Sequence, residues 1–253
     1  MEIGFSNNPA KPLLKQIEWV GRNGFAFFQL NIEEPFASPK KINVAKTRTL
    51  LEKYNLETIG HVAWYLPIGS PEKGIRAYAI KEASKQLAVM ERLGTRLVTV
   101  HANWFPSFPE KKSIKIQAES FKALVEIANK RGMKIMIEQA GTPYDSEKNI
   151  DAIISRVPGL LFNLDIGHAN LFGNSPIKFI KKFHSRIAHV HMHDNNGIMD
   201  THLPIGSGII EWKSVIRELK KHYNGTIALE VFTDDNEFVL LSRKRLIRLW
   251  SSC

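Results

Sequence analysis

Nine side chains stand at or just past the C-terminal ends of short apolar runs: His61, His101, Glu138, Asp165, His168, His191, Asp200, His202 and Glu230. The pattern is plainest in Val98-Thr-Val-His101, Ile135-Met-Ile-Glu138, Leu161-Phe-Asn-Leu-Asp165, Ile187-Ala-His-Val-His191 and Ile227-Ala-Leu-Glu230. Imidazoles and carboxylates are hard to borderline donors that suit Mn, Mg, Co, Zn or Fe. The single cysteine, Cys253, is the last residue, so any metal is held by nitrogen and oxygen and no internal disulfide forms.

Within the series, Glu138, Asp165, His191 and Glu230 end four successive runs and would converge on one ion if the strands closed on themselves. His168 follows Asp165 by three residues in Asp165-Ile-Gly-His168, a spacing that presents both to one centre. Asp200 and His202 alternate in an extended loop, so both face one way, and Gly206 and Gly208 let the backbone pass close to a ligand. His61 and His101 extend the set; alone, either would be read as a hydrogen-bonded structural residue. His189, His191 and His193 are spaced by two and share one face. His191 is the expected ligand, His189 lies deeper and packed, and His193-Asp194 would orient a ligand. His184 and His222 fall in helical segments and should be solvated. Trp64-Tyr65 and Trp104-Phe105 follow the two early histidines, placing rings at the same rim, where they would stack on a substrate, cover the mouth or pack on neighbouring helices.

The elements that must position these groups alternate from end to end. Strands are expected at residues 2–6, 26–31, 58–61, 97–101, 134–138, 160–165, 187–191 and 226–231, each apolar throughout, as strands buried on both faces are. Between them run helical faces such as Ile80, Ala83, Leu87, Met90 and Trp212, Val215, Ile216, Leu219. Ser70-Pro71 and Ser175-Pro176 read as an N-cap followed by proline at the first helical position. Gly24, Gly94 and Gly132 read as helix ends. Eight βα units in 253 residues predict a single domain over residues 1–253, a (β/α)8 barrel of parallel strands, ahead of an open doubly wound sheet. Neither GxGxxG nor GxxxxGK[ST] occurs where a phosphate loop would need it. No apolar run is long enough to span a bilayer and the N-terminus enters a strand directly, so a cytoplasmic protein without membrane contact is expected. The net charge of +10 suits a polyanionic partner such as nucleic acid, or a solvated lysine-rich surface.

The motif His189-Val-His191-Met-His-Asp194-Asn-Asn-Gly197-Ile-Met-Asp200-Thr-His202-Leu-Pro-Ile-Gly206-Ser-Gly208, with Glu138, Asp165-Ile-Gly-His168 and Glu230, resembles the xylose isomerase-like barrels over nearly the whole chain. That group includes sugar isomerases and epimerases, inosose dehydratases and endonuclease IV. Resemblance to the epimerases implies one divalent metal on Glu138, Asp165, His191 and Glu230. Glu138 and Glu230 would be the catalytic pair that exchanges a carbon-bound proton of a small carbohydrate, with His168 on a substrate oxygen. The loop from Asp200 to Gly208 lacks the arginine that ketose epimerases place near there. Resemblance to endonuclease IV implies that all nine residues form a three-zinc set that cleaves a phosphodiester, with Trp64-Tyr65 entering abasic DNA. Pro204 and the short stretch from His193 to Gly197 depart from that family's longer, arginine-bearing loop. The expected function is therefore a metal-dependent sugar or polyol isomerase or epimerase; the alternatives are an endonuclease IV-like hydrolase and a non-catalytic barrel that binds a metal or ligand. The oligomeric state stays open.

Overall fold

The computed structural model describes residues 1–253. Eight strands alternate with eight helices: β1 Glu2–Ser6, α1 Leu13–Arg22, β2 Phe27–Ile32, α2 Val44–Lys53, β3 Glu57–Val62, α3 Lys73–Arg92, β4 Leu97–His101, α4 Glu110–Asn129, β5 Lys134–Glu138, α5 Glu147–Ile154, β6 Leu161–Asp165, α6 Pro176–Phe183, β7 Ile187–Met192, α7 Trp212–Lys220, β8 Thr226–Leu229 and α8 Glu237–Ser252. Each strand pairs in parallel with the next, and β8 returns to β1, closing the barrel. The expected (β/α)8 architecture is thus the observed one, with strand limits within two residues of the sequence reading. Glu230 lies one residue beyond β8 but continues its ladder, its N–H donating to the Met192 carbonyl at 3.2 Å.

Two cores follow from the alternation of side chains along the strands. Outward-facing residues such as Phe28, Leu30, Val98, Ile135, Ile137, Phe162 and Val190 pack under the helices in one continuous apolar layer. Inside the barrel, Phe27, Ile59, Met136 and Ala228 form a small separate plug. Two residues further along the same strands come Gln29, His61, Glu138 and Glu230, so the polar floor of the site rests directly on this plug.

Helix ends match the sequence reading at most positions. Gly24, Gly94 and Gly132 all take positive φ, and Ser175-Pro176 opens α6 with proline in the first turn. Ser70-Pro71 does not open a helix. The Ser70 hydroxyl accepts from the Glu72 N–H at 3.2 Å in a turn, and α3 begins at Lys73.

Candidate metal centre and its cavity

Parallel register sets the inner group. It places His101 beside Glu138 and Asp165 beside His191 on neighbouring strands. Glu138 is wholly buried. Its Oε2 lies 3.2 Å from Nε2 of both His61 and His101, and its Oε1 lies 2.9 Å from His191 Nδ1. The same His191 nitrogen is 3.3 Å from Glu230 Oε1 and 3.7 Å from Asp165 Oδ2. One donor atom from each of Glu138, Asp165, His191 and Glu230 lies within 4.8 Å of every other, so these four residues could share one ion. Asp165 Oδ1 accepts from the His168 N–H at 2.7 Å, whereas Oδ2 is buried without a hydrogen-bond partner. A buried, unpartnered carboxylate oxygen beside three other donors is what a cation would satisfy.

Two further groups adjoin. His61, His101 and Glu138 form one, sharing Glu138 with the inner four; His168, His193, Asp200 and His202 form the other. Asp200 Oδ2 sits 3.1 Å from Nε2 of both His168 and His202. His193 stacks on His202 with ring centroids 3.9 Å apart, and its Nε2 lies 3.1 Å from Asp165 Oδ1. Three of these histidines are oriented alike. His61 Nδ1 donates to the Val62 carbonyl, His168 Nδ1 to that of Gln139 and His202 Nδ1 to that of Glu230, each at 2.8 Å, leaving Nε2 turned to the site. Backbone carbonyls commonly fix metal-binding imidazoles in this manner.

The loop after β7 hangs on Asp194. Its carboxylate accepts from the Asn195 N–H at 3.0 Å, the Gly206 N–H at 2.8 Å, the Ile210 N–H at 3.3 Å and Trp212 Nε1 at 2.7 Å. This divides the joint reading of His193-Asp194: Asp194 anchors the loop, while His193 meets the candidate ligand Asp165 and also stands among the outer donors. It also corrects the role given to Gly208. A side chain at Gly208 would collide with the Asn195 carbonyl and the Asp194 carboxylate, so the close approach is within the loop and not to a ligand.

Charges shift as this packing requires. For Glu138, burial works against ionisation, yet His191 and His101 overcome it and hold the carboxyl well below its usual range. Burial opposes ionisation of Asp165 too, but His168 and His193 lower it to about 2. His191 resists protonation through burial, but Glu138 and Glu230 raise it to about 9. His189, two residues earlier, moves the other way: burial, then the neighbouring His191, hold it well below the ordinary histidine value. It is packed and hydrogen-bonded as expected, to Thr226 Oγ1 at 2.8 Å and Gln29 Oε1 at 2.9 Å. His184 and His222 are exposed and lie against one another, centroids 4.8 Å apart, far from this chemistry.

Above the donors opens a cavity of about 460 Å³. All five outer candidates line it: His61, His101, His168, Asp200 and His202. Of the inner four, only Glu230 reaches its wall; Glu138, Asp165 and His191 lie beneath. Of the four rim aromatics, Trp64 and Trp104 face the cavity, while Tyr65 and Phe105 do not. Tyr65 instead packs edge-on against Trp64.

Sequence reasoning passed over three contributors, Gln29, Asn163 and Glu33, and gave a fourth, His193, only an orienting role. Gln29 Nε2 donates to Glu230 Oε1 at 2.8 Å, and its Oε1 accepts from His191 Nε2 at 2.7 Å, fixing two inner residues at once. Asn163 Nδ2 donates to Glu138 Oε2 at 3.1 Å. His193 was the third of a period-two series that marked it. Glu33, just past β2, lines the cavity.

Comparison with known proteins shows what the chain is similar to. The chain is 30% identical to the uncharacterized protein MJ1311 of Methanocaldococcus jannaschii, over 91% of this chain and 83% of that one. It is 27% identical to an inosose dehydratase of Clostridium beijerinckii over 47% of each chain. A crystal structure of a D-tagatose 3-epimerase-like protein superposes with a TM-score of 0.87 at 25% identity, covering 99% of this chain and 97% of the other. The IolI protein with a bound zinc atom shares the fold, with a TM-score of 0.82 at 16% identity over 100% and 96% of the two chains. No helix is long and apolar enough to cross a membrane. Residues 17–248 match the family model of these barrels, and the chain belongs to the xylose isomerase-like TIM barrel family.

Proposed function

We propose that this protein is a divalent-metal-dependent isomerase or epimerase of a small carbohydrate. The observation that carries the reading is the placement of Glu230: one carboxylate is shared between the four-donor group and the wall of a sugar-sized cavity. Glu138, Asp165, His191 and Glu230 would hold the ion. When bound, such an ion polarises a substrate carbonyl and so acidifies the adjacent carbon.

The chain supplies the rest. Glu230, steadied by Gln29, faces the cavity and takes a carbon-bound proton. Glu138 is the second carboxylate of the pair, kept ionised chiefly by His191 and His101 against the cost of its burial. His168 presents Nε2 to the cavity, where it orients a substrate oxygen, and Trp64 offers a face to the sugar ring. The D-tagatose 3-epimerase-like structure and the inosose dehydratase are consistent with carbohydrate chemistry.

A second reading, an endonuclease IV-like zinc phosphodiesterase, is favoured by one feature. Glu138 spans two donor groups, Oε2 toward His61 and His101 and Oε1 toward His191, as a carboxylate bridging two ions would. With the group around Asp200, up to three ions could then be held. Metal content of protein purified without chelator, paired with deuterium uptake from solvent into a panel of ketoses and aldoses and with nicking of abasic duplex, separates the readings. One ion per chain, deuterium uptake and no nicking are expected. Three zinc ions with nicking would establish the hydrolase, and no bound ion after reconstitution would leave a non-catalytic barrel. Glu138→Gln should lower the rate by about a thousandfold or more under either enzymatic reading, because the isostere keeps the shape and removes the charge.

A further inference from the structure

Glu33 is the cavity's unassigned carboxyl. It follows β2 at the same end of the barrel as the metal candidates, lining the cavity with His61, His101, Trp64 and Glu230. Each of the other acids at the site has a cationic or hydrogen-bonding partner. Glu230 is held by Gln29 and His191, Asp200 by His168 and His202, and Glu138 by His61, His101 and His191. Glu33 has neither an ion pair nor a side-chain hydrogen bond. Burial raises its pKa above the ordinary glutamate value, opposed by the nearby His61 and His101 and by the backbone N–H of Trp64, the protein donor that faces it.

A carboxyl left with spare acceptor capacity inside a cavity needs donors from the ligand. A polyol supplies paired hydroxyl donors; a phosphate monoanion or dianion supplies few and repels the charge. The remainder of the protein pulls the other way, since a net charge of +10 and a divalent ion both attract anions. A local negative group favours an uncharged substrate over an anion, and Glu33 is the cavity carboxyl that no cationic side chain meets at ion-pair distance.

We propose that Glu33 is a specificity-determining residue that accepts hydrogen bonds from substrate hydroxyls and excludes phosphorylated ligands, confining the cavity to neutral polyhydroxylated molecules. The inference rests on the carbohydrate reading above and narrows its substrate class. It assigns a position that neither the nine strand-end residues nor the family match singled out.

The test is calorimetric titration of the protein as purified, with xylitol as the neutral probe and inorganic phosphate as the anionic one. Wild type should bind xylitol in preference to phosphate. Glu33→Gln, isosteric and uncharged, should weaken xylitol by about tenfold, the loss typical of a hydrogen bond to a charged group, and strengthen phosphate by a similar factor. Glu33→Asp keeps the charge but withdraws it by one methylene, so it should weaken xylitol while still rejecting phosphate. Melting curves confirm that both variants fold. If wild type is selective and Glu33→Gln keeps the same xylitol-to-phosphate ratio, the role of Glu33 is overturned while the carbohydrate reading stands. If wild type binds xylitol no better than phosphate, both are overturned together.

Discussion

The inner and outer donor groups use the same residue types but are built differently. Glu138, Asp165 and His191 sit at strand ends, fully buried, their spacing set by barrel closure and parallel register. His168, His193, Asp200 and His202 lie on turns and on the loop after β7, and Asp200 is exposed. The inner geometry is therefore a property of the whole barrel, which cannot move one strand without disturbing seven. The outer geometry is a property of one loop and its anchor, so it can be lost, or altered between relatives, without unmaking the fold.

Asp194→Ala should separate the two most sharply. It would leave three backbone N–H groups and the Trp212 indole N–H without their acceptor. At roughly 1–3 kcal/mol per buried unsatisfied group, partly recovered by water, a loss on the order of 3 kcal/mol is expected in urea unfolding. Metal titration of the variant should show the inner group still binding its ion, whereas binding of xylitol, which meets His168, Asp200 and His202 at the cavity wall, should weaken. Equal loss of both would mean that the loop, not the barrel, shapes the floor.

Acidity sharpens the contrast next. In the metal-free protein, Asp165 is depressed to about 2, so its contribution to stability is present above the unfolded value of 3.8 and is lost as pH falls toward 2. His189, also depressed, contributes above 6.5 and loses that contribution as pH falls. His191 is raised to about 9, so its contribution is full below 6.5 and disappears as pH climbs through 9. Raised values at His168 and His202 add to the alkaline loss. Metal-free protein should thus melt highest near pH 6.5 and lower on either side. A saturating divalent ion replaces the proton on His191, so the part of the alkaline decline that His191 carries should flatten and binding should release protons. An alkaline limb unchanged by metal would show that His191 is not a ligand.

Much of this was legible in the chain because the signals are periodic. A buried run ending in His101, Glu138, Asp165 or His191 announces both a strand and the polar residue at its mouth, and eight repeats announce closure. Amides were not legible: Gln29 and Asn163 carry no metal signature, and their role exists only once β2 lies near β7 and β8, and β6 beside β5. His193 fitted the period-two series, but β7 ends at Met192, and whether the chain then turns toward Asp165 is decided by the Asp194 anchor. Glu33 sits in Glu33-Glu34-Pro35, which reads as an ordinary exposed turn until its cavity is seen.

The smallest effects belong to the rim, where two tryptophans divide as the donor groups do. Trp104 is fixed: its Nε1 donates to Asp145 Oδ1 at 2.7 Å and its ring stacks on Tyr144 at 6.2 Å. Trp64 is 59% exposed and contacts Tyr65 edge-on, with no hydrogen bond from its indole. Trp104→Phe should therefore cost about 1 kcal/mol of stability by leaving Asp145 short of a donor. Trp64→Ala should leave the melting temperature alone and weaken xylitol binding about threefold to fivefold, the scale of one aromatic face lost from a sugar. Both substitutions are read by the same two measurements, melting and calorimetric titration. If Trp64→Ala lowers the melting temperature as much as Trp104→Phe and leaves xylitol binding untouched, Trp64 is a packing residue, and the cavity's ligand contacts are confined to its polar walls.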